Sequence, residues 1–183
     1  MSREQPISRT VLPSVLPNLY HQGATNACGP CALAMAASCL LPDPPSPAAT
    51  AALLRWHRLP GVGATMPWGL VMGARQLGLR VSAGILGTPA ELRAALDGGD
   101  VVLVLVHPTD FACRWFDLHY RVLVGYEASE SGRLVRWLFA CSATRWAGAG
   151  ERGWNLALPP ARFQAQWHNA LLPRWYVRLG AGL

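Results

Sequence analysis

Apolar residues change their spacing once along this chain, near residue 80, and that change constrains the fold more than any other feature. Before it, Ala32 to Leu41, Ser46 to His57 and Pro67 to Leu77 carry apolar side chains at helical intervals. Pro42, Pro44 and Pro45 stop the first of these segments, and Gly78 follows the third as a C-cap. After it, Arg80 to Leu86, Val101 to Val106, Leu118 to Tyr126, Arg133 to Ala140 and Trp175 to Leu179 are short, apolar and predicted as strands. The middle pair flanks the polar turn Glu127 to Gly132 and predicts a hairpin. Two helices interrupt them: Pro89 to Leu96, with Thr88 as N-cap and Glu91 at N3, and Pro159 to His168, with proline at its start. A helical half followed by a mainly antiparallel half is the α+β arrangement. Residues 1–27, punctuated by Pro6, Pro13 and Pro17, are predicted to run extended over the surface toward a helix that opens at Cys28.

With 183 residues, the chain fits one domain spanning 1–183, long enough to bury a core. Charged residues make up 14%, against about 25% in an average globular protein, so the surface is expected to be weakly charged. The net charge of +6 comes from arginines scattered singly, without a lysine in the chain. That pattern argues against a nucleic-acid partner and fits a GC-rich genome. Apolar runs are too short for a bilayer, so no membrane association is expected. The amino terminus carries no apolar signal core, which predicts cytoplasmic synthesis. Five cysteines, Cys28, Cys31, Cys39, Cys113 and Cys141, are an odd number in a chain able to build a core, and are expected to be thiols.

Chemistry concentrates at Cys28-Gly29-Pro30-Cys31. A cysteine that opens a helix has its thiol pKa lowered by first-turn N–H groups and the macrodipole. A thiolate nucleophile needs a base able to protonate a leaving group. Of the five histidines, His119 has the best context, inside the strand-like Leu118 to Tyr126, where it can face a helix-borne cysteine across a cleft. His21, His57, His107 and His168 lie in loops or at element ends and are expected to be ordinary surface residues.

With Gln22 six residues before Cys28, and with His119 on a later strand, the chain resembles the papain-like cysteine peptidase superfamily. Within it, the resemblance is to the bacteriocin-processing double-glycine peptidase group and its stand-alone relatives. The matching pieces are Gln22 through Pro30, Thr88 to Leu96 before Val101 to Val106, His119-Tyr120 to Gly125-Tyr126, and Arg162-Phe163 to Trp167. The resemblance implies an amide hydrolase without cofactor or metal, acting on a peptide or protein, with Cys28 as nucleophile, His119 as proton carrier and Gln22 completing an oxyanion hole. The group's preference for cutting after Gly-Gly does not carry over, because its usual transporter fusion has no counterpart here.

One position departs from the pattern. Where the relatives carry an aspartate to orient the histidine, this chain has Cys141-Ser142, so either Cys141 or Ser142 is expected to steady His119. Asp117 is the nearest acid, but residues on one strand rarely meet in that geometry. Trp115, Trp146 and Trp154 flank these positions and are candidates for core cover or for a substrate groove. Three other readings compete. CGPC is also the redox motif of thioredoxins, but that fold needs an apolar strand just before the first cysteine, and Leu19 to Ala27 is polar and small. A zinc site would need a second pair at C-x-x-C spacing, which Cys113 and Cys141 do not supply. A non-catalytic copy of the fold is the third. On the hydrolase reading Cys31 is a small packing residue, and an immunity or export partner would mark a toxin rather than a processing enzyme.

Overall fold

The computed structural model describes residues 7–23, 25–109, 118–144 and 152–182. Its elements, in chain order, are β1 Ile7–Val11, α1 Cys28–Leu40, α2 Pro47–Leu53, a 3-10 turn Arg55–His57, α3 Pro67–Gln76, β2 Arg80–Gly84, α4 Pro89–Asp97, β3 Val101–Val106, β4 His119–Ser129, β5 Leu134–Ala140, β6 Leu156–Leu158, α5 Pro160–His168 and β7 Tyr176–Gly180. The fold is α+β. A seven-stranded sheet runs β2-β7-β3-β4-β5-β6, with β1 also paired to β4, and every pairing is antiparallel. No helix among the described residues is long and apolar enough to cross a membrane.

The sheet separates two apolar layers. On one face α1 packs with Leu103, Leu105, Val122, Val124 and Val177. On the other, α4 and α5 cover an aromatic layer in which Phe163 stacks on Trp167 at 5.2 Å and meets Trp137 edge-on at 5.8 Å. β3 is buried at every position, which explains its unbroken Val/Leu sequence. α1 is likewise buried almost throughout, and its many alanines let it sit close to the sheet.

Local signals hold where they are chemical. Thr88 and Glu91 form the expected capping box: the Thr88 side chain accepts from the Glu91 N–H at 3.2 Å, and Glu91 accepts from the Thr88 N–H at 2.7 Å. Three expectations need correction. The segment Ser46 to His57 is not one helix, since α2 stops at Leu53 and tightens into the 3-10 turn. The 1–27 segment does more than cross the surface, because Ile7–Val11 joins the sheet beside β4. Gly125 permits that docking, as a Cβ there would fall 2.0 Å from the Val11 carbonyl oxygen. Finally, β6 was not anticipated: three residues are too few to give a period.

Candidate active site

α1 delivers Cys28 at its first position. No side chain caps this helix, so the N–H groups of Cys28 and Gly29 remain for other acceptors, while Cys31 N–H returns to the Ala27 carbonyl at 2.9 Å. Pro30 lies where its missing N–H costs no helix bond. Cys28 is 9% exposed. Burial alone would push its thiol up, but the hydrogen bond and charge of His119, joined by the N–H groups of Tyr120 and Gly29, outweigh it and hold the thiol below its ordinary value. The loop before α3 leans directly on this helix start. A Cβ on residue 29 would come within 2.5 Å of Thr65, so glycine is needed there. Tyr120 Oη donates to the Thr65 carbonyl at 2.9 Å and pins the same loop to β4.

β4 delivers His119 at its first residue, opposite Val106 and 4% exposed. Its Nε2 lies 3.3 Å from Cys141 Sγ. Burial would lower the imidazole pKa, but the contacts with Cys141 and Cys28 raise it to about 9. Cys141 responds in the opposite sense: burial would raise it, while His119 above all, then Arg121 and Thr144, bring it down to about 6. The ring therefore contacts two sulfurs, and each contact favours the charged form of both partners.

Of the two residues expected to steady His119, Cys141 makes the contact. Ser142 meets Gln22: its Oγ donates to Gln22 Oε1 at 2.7 Å, and the Gln22 N–H donates to the Ser142 carbonyl at 3.0 Å. Cys141 follows the last residue of β5 and Ser142 opens the turn after it, and the two side chains divide between His119 and Gln22. Gln22 is thereby tied to the residue after Cys141, with Nε2 also donating to the Thr25 carbonyl at 3.1 Å.

Asn155 escaped the sequence reading. Its Oδ1 accepts from the Cys141 N–H at 2.8 Å, and its Nδ2 donates to the carbonyls of Cys141 at 2.8 Å and Thr144 at 3.1 Å. An asparagine beside Trp154 in a loop gives no signal until β6 brings it against the end of β5. Trp154 itself is half-buried against the α1 layer, with the Arg152 guanidinium 5.9 Å above its ring. Trp115, Trp146, Asp117 and Cys113 lie outside the described residues. The other four cysteines are free thiols. His21 is exposed, its Nδ1 accepting from the Gly23 N–H at 3.0 Å.

No family model matches the chain, and neither does any curated protein. Solved structures do. The peptidase domain of Streptococcus ComA, a bifunctional ABC transporter, is 19% identical with a TM-score of 0.61, covering 89% of this chain and 97% of its own. A C39-like peptidase from Bacillus anthracis is 12% identical with a TM-score of 0.65 over 94% of this chain and 98% of its own. The chain has the fold of the papain-like peptidases. A third papain-fold neighbour, a double-glycine motif protease from an AMS/PCAT transporter solved with its leader peptide, is 14% identical with a TM-score of 0.53, over 94% of this chain and 97% of that one. At these identities the likeness concerns the fold, and the chemistry rests on the residues above.

Proposed function

We propose that this chain is a cysteine peptidase that hydrolyses an amide bond in a peptide or protein through a thioester on Cys28. The observation that carries this reading is His119 held between Cys28 and Cys141 in a nearly dry corner. The Cys28 sulfur attacks the amide carbon, and the oxygen, now negative, accepts from the Cys28 N–H and from the second Nε2 hydrogen of Gln22. His119 gives its proton to the departing amine. Water then enters, His119 takes a proton from it, and the acid leaves. Throughout, Cys141 accepts from His119 Nε2, the task an aspartate has in the relatives. Ser142 serves the other half of the site by holding Gln22. The neighbour solved with a leader peptide supports a peptide substrate. Trp115, Trp146 and Trp154 remain the candidates for holding it.

The test compares new peptide N-termini in a proteome-derived peptide library treated with the wild-type protein or with Cys28→Ala. Cleavages that vanish in the variant, and an acyl adduct on Cys28 trapped by rapid acid quench, are the expected result. Ammonia release without chain cleavage would replace the peptidase by a deamidase. Neither cleavage nor adduct would sink the hydrolase reading.

A further inference from the structure

Hydrolysis at Cys28 gives Cys31 no task, yet Cys31 is placed in the same first helical turn, three residues on, and is only 3% exposed. We propose that Cys28 and Cys31 close into a reversible disulfide when a hydroperoxide oxidises Cys28, making this dithiol a modification site that shields the nucleophile. The proposal rests on the reading of Cys28 as the reactive thiol.

Geometry selects the pair. Residues three apart on a helix are surface neighbours with Cβ atoms roughly 5–6 Å apart. A disulfide asks for Cα atoms about 4.4–6.8 Å apart and Cβ atoms about 3.5–4.5 Å apart, so only a small inward adjustment is required. The helix can yield here because Cys28 and Gly29 precede its first intrahelical bonds and Pro30 has no N–H to lose. The two side chains belong to one apolar cluster. Cys31's thiol is pushed up to about 11, by burial first and by the charge of Cys28 second, so the two sulfurs are within electrostatic reach. Other thiols are worse placed. Cys39 is eleven residues beyond Cys28 on the same helix, roughly 16 Å along its axis. Cys141 is engaged with the same imidazole that Cys28 bonds, on its Nε2.

The chemistry balances with the hydroperoxide as oxidant. The Cys28 thiolate attacks the O–O bond, which breaks; one oxygen becomes the sulfenic acid on Cys28, and the remainder leaves as an alcohol, or as water from hydrogen peroxide. Loss of the thiolate charge removes the repulsion that Cys31 felt. Cys31 sulfur then attacks Cys28 sulfur, the S–O bond breaks, and the hydroxide leaves as water with the Cys31 proton. Two thiols are oxidised by two electrons and one peroxide is reduced by two. A dithiol reductant reverses the result.

The test exposes the intact protein at neutral pH to hydrogen peroxide, alkylates remaining thiols and maps Cys28 by mass spectrometry. The expected product is a Cys28–Cys31 disulfide that dithiothreitol returns quantitatively to thiols. In Cys31→Ala, where no resolving thiol remains, Cys28 should accumulate about tenfold more sulfinic and sulfonic acid than wild type. A Cys28–Cys141 disulfide, or equal over-oxidation in both proteins, would overturn the proposal. Because mapping the wild type needs neither activity nor a variant, it stands if Cys31→Ala fails to fold. A Cys28–Cys31 disulfide in a protein that cleaves no peptide would uphold this inference and remove the peptidase reading instead.

Discussion

The two walls of the cleft obtain their chemistry by different means. On the helix wall, the contribution is from backbone: Cys28 stands at an uncapped helix start, where the Gly29 N–H adds to the larger influence of His119 from across the site. On the sheet wall, side chains act: Cys141 pairs with His119, Ser142 holds Gln22, and Asn155 fixes the backbone of Cys141. Backbone donors survive any change of sequence that keeps the helix. Side-chain donors can be exchanged one for another, provided charge and reach are kept. A cysteine where the resemblance implies a carboxylate is therefore the kind of substitution expected on the sheet wall and not on the helix wall.

Substitutions at four positions probe that contrast, beginning with the largest effect. Cys28→Ser should lower peptide hydrolysis by about 10⁴-fold or more while leaving the melting temperature near wild type, because a serine there lacks a base strong enough to ionise it. A peptidase rate within tenfold of wild type would end the comparison. Gln22→Ala should reduce kcat by on the order of a hundredfold with KM little changed, as expected when one oxyanion donor is lost. An unchanged kcat would mean the helix wall stabilises the oxyanion alone.

Cys141→Ala should cost about tenfold in kcat/KM, since the third group chiefly orients the ring. The more telling readout is the pH profile. His119 is raised to about 9 by its sulfur partners, so activity requiring imidazolium should persist into alkaline solution and fall as pH passes about 9. Removing Cys141 takes away the leading cause that raises it, and the alkaline limb should move to lower pH. Cys141→Asp should restore the rate and the limb; failure of both, in a folded variant, would show that the thiolate is not standing in for a carboxylate. The same pair links to stability. A raised histidine contributes stability that is present below its ordinary pKa and lost as pH climbs through about 9, and a depressed Cys141 contributes stability lost as pH falls through about 6. Between those limits one contribution rises with pH as the other falls, so they offset each other, and a thermal melt should change little across that range. Asn155→Ala, the smallest effect on rate, should lower stability by about 1–3 kcal/mol through the buried backbone groups it leaves unpaired. A loss of activity exceeding that of Cys141→Ala would move Asn155 from support to chemistry.

The sequence made one wall far more legible than the other. Periodicity and caps located α1, α3, α4 and the β4–β5 hairpin, because each is long or carries a chemical punctuation such as the Thr88 box. Cys28 and His119 stood out because each lies in a segment whose pattern is plain, Cys28 at the start of a helix and His119 inside the strand-like Leu118 to Tyr126. Their partners were less so. Whether Cys141 or Ser142 faces His119 depends on how the chain leaves β5 for the turn that follows, and two adjacent letters hold no such information. Asn155 depends on β6, only three residues long, arriving beside β5. β1 depends on Gly125 being a landing place, something evident only once the two strands are seen together.

The division of labour between Cys141 and Ser142 makes this site a matter of position along the chain. Each side chain reaches a different half of the proposed reaction. Deleting Ala140 would draw Ser142 into the place Cys141 holds, setting a hydroxyl against the imidazole and leaving Gln22 Oε1 without its donor, while inserting one residue there would carry Cys141 to the place of Ser142. Composition, length and hydrophobic core would be nearly untouched. A change of one residue at the end of one strand thus reaches both halves of the proposed reaction at once.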